Sequence, residues 1–106
     1  MSKINARKKG NAFELYCIDK LSALFPQAVS SRSESKRMDD AGVDICYTGA
    51  FHFQCKAVER LGTYHDILSG MPKDKIAVIL HKRNRKGTVA VLGFDDFIEL
   101  AKSYNR

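Results

Sequence analysis

The chain has 106 residues, the size of one domain with a single hydrophobic core. Its 44% hydrophobic and 28% charged residues, with two prolines and seven glycines, indicate a globular protein and exclude low-complexity and collagen-like classes. Eighteen Lys and Arg against twelve Asp and Glu give a net charge of +6, which favours polyanionic partners such as nucleic acids. We expect one domain over residues 1–106.

Hydrophobic periodicity and turn residues predict the element order α-β-β-β-α-β-β-α. The predicted elements lie at residues 11–25, 27–32, 43–47, 51–56, 64–68, 75–82, 88–94 and 94–104. Pro26 ends the first helix, and residues 33–42 are polar and charged and end in glycine, so they predict a loop. Helices must then cover a mixed β-sheet, which places the chain in the α/β class.

The predicted hairpin at residues 43–56 has one apolar face and one polar face. A three-residue turn around Gly49 pairs Asp44 with Gln54, and Lys56 projects from the same polar face. Opposed side chains have Cβ atoms about 4.5–5.5 Å apart, close enough for the oxygens of Asp44 and Gln54 to share a cation. Mg²⁺ prefers such ligands and lowers the pKa of bound water. The alternative is a hairpin with one solvent-facing side.

The first predicted helix carries a carboxylate on the face expected to pack against the sheet. Glu14 lies on the same stripe as Cys17, Ile18 and Leu21. An acidic residue in a first helical turn also interacts favourably with the helix dipole. That interaction explains why the residue is acidic, but not why its side chain should face the sheet. Glu14 is therefore a further candidate site residue.

The series Gly10-xxx-Glu14, Val43-Asp44-Ile45 and Gln54-Cys55-Lys56 resembles the PD-(D/E)XK nuclease superfamily. The similarity is greatest to the archaeal-type Holliday junction resolvases and their phage-encoded relatives. It extends from residue 8 to about residue 101 and includes the segments SSRSES and HKRNRKGTVAVLGFDDFIEL. The resemblance implies a restriction-endonuclease-like core.

By position, the resemblance implies that Glu14, Asp44, Gln54 and Lys56 are catalytic. It also implies that Glu14, Asp44, Gln54 and the carbonyl of Cys55 bind Mg²⁺ or Mn²⁺. The departure from the family pattern is Gln54, which stands where the motif has an acidic residue. An amide supplies an oxygen ligand without charge, so the resemblance implies an altered site in which Glu14 becomes more important.

Basic residues cluster before the first helix, before Asp44 and in the turn between the last two strands. Together they are expected to neutralise phosphates of a DNA duplex without reading its sequence. Two serines resemble polar residues that resolvases place near the scissile strand. The predicted DNA-binding residues are Arg7, Lys8, Lys9, Ser31, Arg32, Ser33, Lys36, Arg37, Lys82, Arg83, Arg85 and Lys86.

The resulting hypothesis is a metal-dependent endodeoxyribonuclease that hydrolyses phosphodiester bonds at four-way junctions during DNA recombination. Two incisions in two-fold related strands require two sites, so a homodimer is expected. Two alternatives stay open: another nuclease of the superfamily, of nicking or flap type, and a DNA-binding module without catalysis. Asp40 is a minor rival to Asp44. The three histidines are expected at the surface, with His52 a possible exception because it shares the polar hairpin face.

The three cysteines are odd in number and lack the paired spacing of a zinc site, which predicts free thiols. The basic N-terminal segment is followed by charged residues and not by an apolar signal region. No apolar stretch approaches membrane-spanning length. We expect a cytoplasmic protein without membrane contact, in the host cytoplasm if it is phage-encoded.

Overall fold

A computed structural model describes residues 3–105. Its elements are α1 (Lys3–Leu21), β1 (Val29–Ser30), α2 (Ser31–Glu34), α3 (Lys36–Asp40), β2 (Ile45–Cys46), β3 (Phe51–Lys56), α4 (Tyr64–Gly70), β4 (Ile76–Arg83), β5 (Gly87–Leu92) and α5 (Phe94–Tyr104). The described strands form one sheet in the order β1-β2-β3-β4-β5. Strands β3 and β4 are parallel and the other neighbouring pairs are antiparallel. The α/β class and the mixed sheet flanked by helices are confirmed, and the restriction-endonuclease-like assignment stays a prediction.

The predicted element order was wrong between β1 and β2, where two short helices replace a strand end and a loop. The Ser30 side chain caps α2 by accepting the N–H of Arg32, and Ser35 caps α3 by accepting the N–H of Met38. Serine is a preferred N-cap because its hydroxyl satisfies an N–H that has no partner within the helix. The polar run that suggested a loop thus supplies helix caps.

Helix α1 covers one face of the sheet. Phe13 and Cys17 from α1 pack against Ile45, Phe53 and Val78 from three strands. Full burial of a side chain such as Phe53 contributes about 1.5–3 kcal/mol to stability. Helix α1 begins eight residues before its predicted start at residue 11, since the Lys- and Arg-rich residues favour helix without apolar periodicity. None of the helices in the described residues is long and apolar enough to cross a membrane.

The hairpin of β2 and β3 has the predicted register. Ile45 pairs with Phe53, and Gly49 has a φ of +58° in the turn. A Cβ added at Gly49 would lie 3.1 Å from the ring of Phe25, so the turn packs directly against the segment that follows α1. Strand parity would place Tyr47 on the apolar face with Ile45, but Tyr47 is exposed and has a φ of +64°, because the chain leaves the extended conformation there.

The polar face of the hairpin is not open to solvent. His52 is 3% exposed and its Nε2 lies 2.9 Å from Asp74 Oδ1. His81 is also buried, between the hydroxyl of Tyr64 and the carbonyl of Val58. The expectation of a surface histidine was therefore wrong for His81, and His52, set apart as an exception, is also buried, because residues on this side of the sheet provide hydrogen-bond partners for the rings.

Candidate active site

Asp44 lies immediately before β2, where the backbones of β2 and β3 begin to separate. Its N–H donates to the carbonyl of Phe53 at 2.8 Å, and its Oδ2 accepts the N–H of Cys55 at 2.7 Å. A side-chain carboxylate, and not a strand carbonyl, thus satisfies the Cys55 N–H. This contact holds the Asp44 carboxylate between the two strands.

The environment of Asp44 disfavours its ionised form. Burial raises the pKa of this carboxyl group and is the largest cause. The Cys55 N–H acts against the rise, the negative charge of Glu14 adds to it, and the positive charge of Lys56 opposes it. Asp44 is therefore near enough to both Glu14 and Lys56 to respond to their charges, and its negative charge is incompletely compensated.

Glu14 faces the sheet from α1, as the helical periodicity predicts. It is 7% exposed, and its Oε1 accepts hydrogen bonds from Ser30 Oγ and from two guanidinium nitrogens of Arg32, at 3.2 and 3.3 Å. Arg32 reaches this carboxylate from the solvent side, since its side chain is 45% exposed. Ser30 was not among the predicted site residues, and only its position beside Ser31 and Arg32 in the sequence pointed to it.

Gln54 and Lys56 project from the opposite face of β3 to the one that α1 covers. Phe53 and Cys55 pack toward α1, so the alternate residues point away from it. The Gln54 amide lies against Gly42, where an added Cβ would sit 3.6 Å from its Oε1. It also lines a cleft of about 240 Å³ whose other residues are Asp40, Ala41, Gly42, Asp66, Ile67, Gly70 and Met71. The structure therefore brings Asp44 near Glu14 and Lys56, and directs Gln54 to a cleft away from Glu14.

Cys55 contributes its backbone to the site and its side chain to the core. Its N–H fixes Asp44, while its side chain packs with Cys17 of α1 in the core. The interaction between the two thiols lowers the pKa of Cys17 and raises that of Cys55. Both cysteines are free thiols, as predicted, and so is Cys46. The role of the Cys55 carbonyl as a metal ligand stays a prediction.

The donor set near Asp44 fits a magnesium ion that is completed by water and substrate. No cluster of three or more His, Cys, Asp or Glu side chains in the described residues is arranged to hold a metal. Mg²⁺ keeps several waters and binds through one or two carboxylates together with substrate phosphates. Asp44 and Glu14 supply two such carboxylates, and a cation beside them would favour the ionised form of Asp44, which burial and the charge of Glu14 disfavour.

Two of the predicted basic clusters form one surface. Lys9 Nζ donates to Asn84 Oδ1 at 2.9 Å, which joins the start of α1 to the β4–β5 turn. We call the combined surface the basic ridge; it consists of Arg7, Lys8, Lys9, Lys82, Arg83, Arg85 and Lys86. All of these side chains are exposed except half-buried Lys9. Lys82 follows His81, the strand partner of Lys56, so the ridge begins at the end of the sheet that holds Lys56. Asn84, which makes the connection, carried no signal in the sequence.

The remaining predicted DNA-binding residues lie around the segment between β1 and β2. Ser31 is fully buried, and its N–H donates to the Asp44 carbonyl at 2.9 Å, so it positions Asp44 and does not offer its hydroxyl at the surface. Ser33 and Arg37 are exposed. Lys36 is exposed but pairs with Asp40 at 3.0 Å.

Comparison with known proteins does not assign the chain to a family. No protein-family model, curated protein or solved structure matches the chain. The resemblance to PD-(D/E)XK nucleases therefore stays a prediction.

Proposed function

We propose that the protein is a Mg²⁺-dependent, structure-selective DNA endonuclease, and in particular a Holliday junction resolvase. The observation that carries the proposal is that the basic ridge ends beside two carboxylates, Asp44, whose pKa is raised by burial, and buried Glu14, which Arg32 and Ser30 hold in place. A ridge of exposed cations binds phosphates, and paired carboxylates bind the hard cation that phosphodiester hydrolysis uses.

Each side chain has a separate task in this proposal. Asp44, fixed by the Cys55 N–H, and Glu14, oriented by Arg32 and Ser30, provide the anionic oxygens that hold the ion. The ion, Mg²⁺ or Mn²⁺, stabilises phosphate charge and lowers the pKa of a bound water. Lys56 approaches from the other face of β3 and offsets negative charge that develops on the phosphate.

The proposed substrate is a four-way DNA junction, and the active form is a homodimer. The basic ridge of one chain is suited to one duplex arm, whereas a junction presents two equivalent strands to be cut. Two copies supply two sites and a broader cationic surface. We expect a dimer to bind junctions at least about tenfold more tightly than linear duplex, a difference of about 1.4 kcal/mol.

A cleavage assay tests the proposal. Junction, flap and linear duplex of equal length are incubated with the protein, with Mg²⁺ or with a chelator. We expect metal-dependent paired incisions in the junction, abolished by Asp44→Asn and unchanged in Asp19→Asn, an exposed carboxylate on α1. Cleavage of flap or nicked duplex in preference to junctions would instead support a nicking or flap-type enzyme. Undiminished cleavage by Asp44→Asn would contradict the site.

One observation favours a second candidate, a DNA-binding module without catalysis. Gln54 replaces an acidic residue of the resembled motif and lies toward the cleft beside Gly42, away from Glu14. In that case binding would persist with the ordinary salt dependence of phosphate contacts, while no metal would produce cleavage. The same assay therefore separates the two candidates.

A further inference from the structure

The C-terminal helix α5 carries an apolar face that packs against almost nothing in its own chain. All eleven residues of this helix are described and none of them is buried. Phe94 is 74% exposed, Phe97 is 50% exposed and Tyr104 is 95% exposed. These three residues lie on one side of the helix together with Ile98, and they account for the amphipathic pattern in the sequence.

The exposed area is sufficient for a modest protein interface. An aromatic side chain has about 150–250 Å² of surface, so the three aromatic residues leave about 400 Å² open in each chain. Two copies in contact would cover about 800 Å² from these side chains, and flanking residues bring the total toward the roughly 1,200 Å² of the smallest specific interfaces. A patch of this size on a monomer is typically functional.

The charges beside the apolar face make it self-complementary. Asp95 in the first turn and Lys102 in the last turn flank the same side of the face, where Lys102 Nζ also pairs with Glu99 Oε1 of its own helix at 2.9 Å. If two α5 helices pack antiparallel about an axis near residues 98 and 99, Asp95 of each copy lies opposite Lys102 of the other. The opposed helix dipoles favour the same orientation. The acidic first turn also disfavours a polyanion such as DNA as the occupant of this face.

From this area and symmetry we propose that α5 is the interface of a two-fold homodimer, in which the apolar faces of two antiparallel α5 helices pack together. The interface belongs to the chain whether or not the protein is a nuclease. It also identifies the surface that would join the two sites which junction cleavage requires. We expect a weak dimer with a dissociation constant in the micromolar range, because the interface lies at the small end of specific interfaces.

Sedimentation equilibrium of the full chain, without DNA or metal, tests the interface. We expect a monomer–dimer equilibrium that Phe97→Glu weakens by at least about 100-fold, since a charge would be buried against the partner. The matched control is Leu24→Glu, which changes another residue, 73% exposed in the turn after α1, and should leave the equilibrium unchanged. Circular dichroism verifies that both variants are folded. A monomeric wild-type chain at about ten times the expected dissociation constant would overturn the proposal.

A charge exchange tests the antiparallel orientation. Asp95→Lys and Lys102→Asp should each weaken the dimer, because each places like charges opposite one another. The double variant should restore association, since both intermolecular pairs re-form with exchanged signs. Within one helix the double variant has the least favourable charges for the dipole, so recovery would not come from a better helix. A double variant weaker than both single variants would refute this arrangement.

The same variants separate this inference from the proposed nuclease function. If both hold, Phe97→Glu retains metal-dependent cutting of single strands and loses the paired incisions. If Phe97→Glu loses the dimer and neither the wild type nor any variant cleaves DNA, the nuclease proposal alone would be overturned. Paired incisions with an undiminished dimer in Phe97→Glu would overturn the interface alone.

Discussion

Replacing Asp44 by asparagine should stabilise the fold at neutral pH while abolishing the proposed cleavage. The substitution removes a carboxyl group whose pKa is raised by burial and by the negative charge of Glu14. The amide oxygen of asparagine can still accept the N–H of Cys55, which now donates to Asp44 Oδ2 at 2.7 Å. The variant thus loses a poorly compensated charge and keeps a hydrogen-bond acceptor.

Two opposing contributions set the size of this effect. A hydrogen bond to a charged group contributes about 1.5–3 kcal/mol and a neutral one about 0.5–1.5 kcal/mol, so the Cys55 contact weakens by about 1 kcal/mol. The raised pKa indicates that burial and the Glu14 charge outweigh this contact together with the Lys56 charge. Stabilising substitutions commonly gain about 0.5–2 kcal/mol. We expect a net gain of about 1 kcal/mol, which raises Tm by about 4–8 °C in a domain of this size.

The effect of Asp44→Asn on stability should increase with pH. The folded state holds the Asp44 proton more tightly than the unfolded state, in which the pKa is about 3.9. The contribution of Asp44 to stability is therefore fully present below that value and is lost as pH rises through the raised pKa of the folded protein. The difference in the free energy of unfolding between Asp44→Asn and the wild type should be smallest in acid and largest at neutral pH.

Thermal unfolding in the presence of a chelator, at several pH values, measures this difference. The control variant Asp19→Asn should change stability by less than about 0.5 kcal/mol, since Asp19 is exposed. Mg²⁺ at about 100 times its dissociation constant should stabilise the wild type by about 2.7 kcal/mol, and Asp44→Asn much less. A variant less stable than the wild type at neutral pH would refute the electrostatic reasoning, and equal stabilisation of both proteins by Mg²⁺ would refute the ligand assignment.

Three further variants test the site and the basic ridge. Lys56→Ala should lower single-turnover cleavage by at least about 100-fold with little change in junction binding, because Lys56 acts on charge that develops in the transition state, and Lys20→Ala is the matched control. Gln54→Glu should retain cleavage and lower the Mg²⁺ concentration for half-maximal activity; complete inactivity would show that the amide itself is required. Arg83→Ala combined with Arg85→Ala should flatten the slope of log affinity against log salt by about 1.8 for any DNA sequence, and an unchanged slope would exclude phosphate contacts by these arginines.

The sequence predicts the hairpin well because burial determines its register. A shift of one residue would turn Ile45 and Phe53 to the opposite face, so hydrophobic parity selects their pairing. The segment between β1 and β2 is predicted badly for the opposite reason. Ser30 and Ser35 cap helices so short that they have no apolar periodicity, and the same polar residues are equally typical of loops.

The sequence predicts which way individual site residues face, but it does not predict the contacts between them. Helical periodicity gives the direction of Glu14, and strand parity gives the shared face of Gln54 and Lys56. The contact between Asp44 and the Cys55 N–H depends on where β2 leaves β3, which no local pattern specifies. His52 is buried because Asp74, twenty-two residues away in sequence, provides a partner for its ring.

The position of Asp44 constrains how a substrate would approach under the proposed function. Glu14 lies on the α1 face of the sheet, and Lys56 projects from the other face. The Asp44 carboxylate is held between the strands and responds to the charges of both residues. Under the proposed function we therefore expect a phosphate in contact with the ion and with Lys56 to enter at the strand ends. Lys82 follows His81, the strand partner of Lys56, so the basic ridge lies at the same end of the sheet, and the duplex that it binds would present its backbone to Asp44 from that direction.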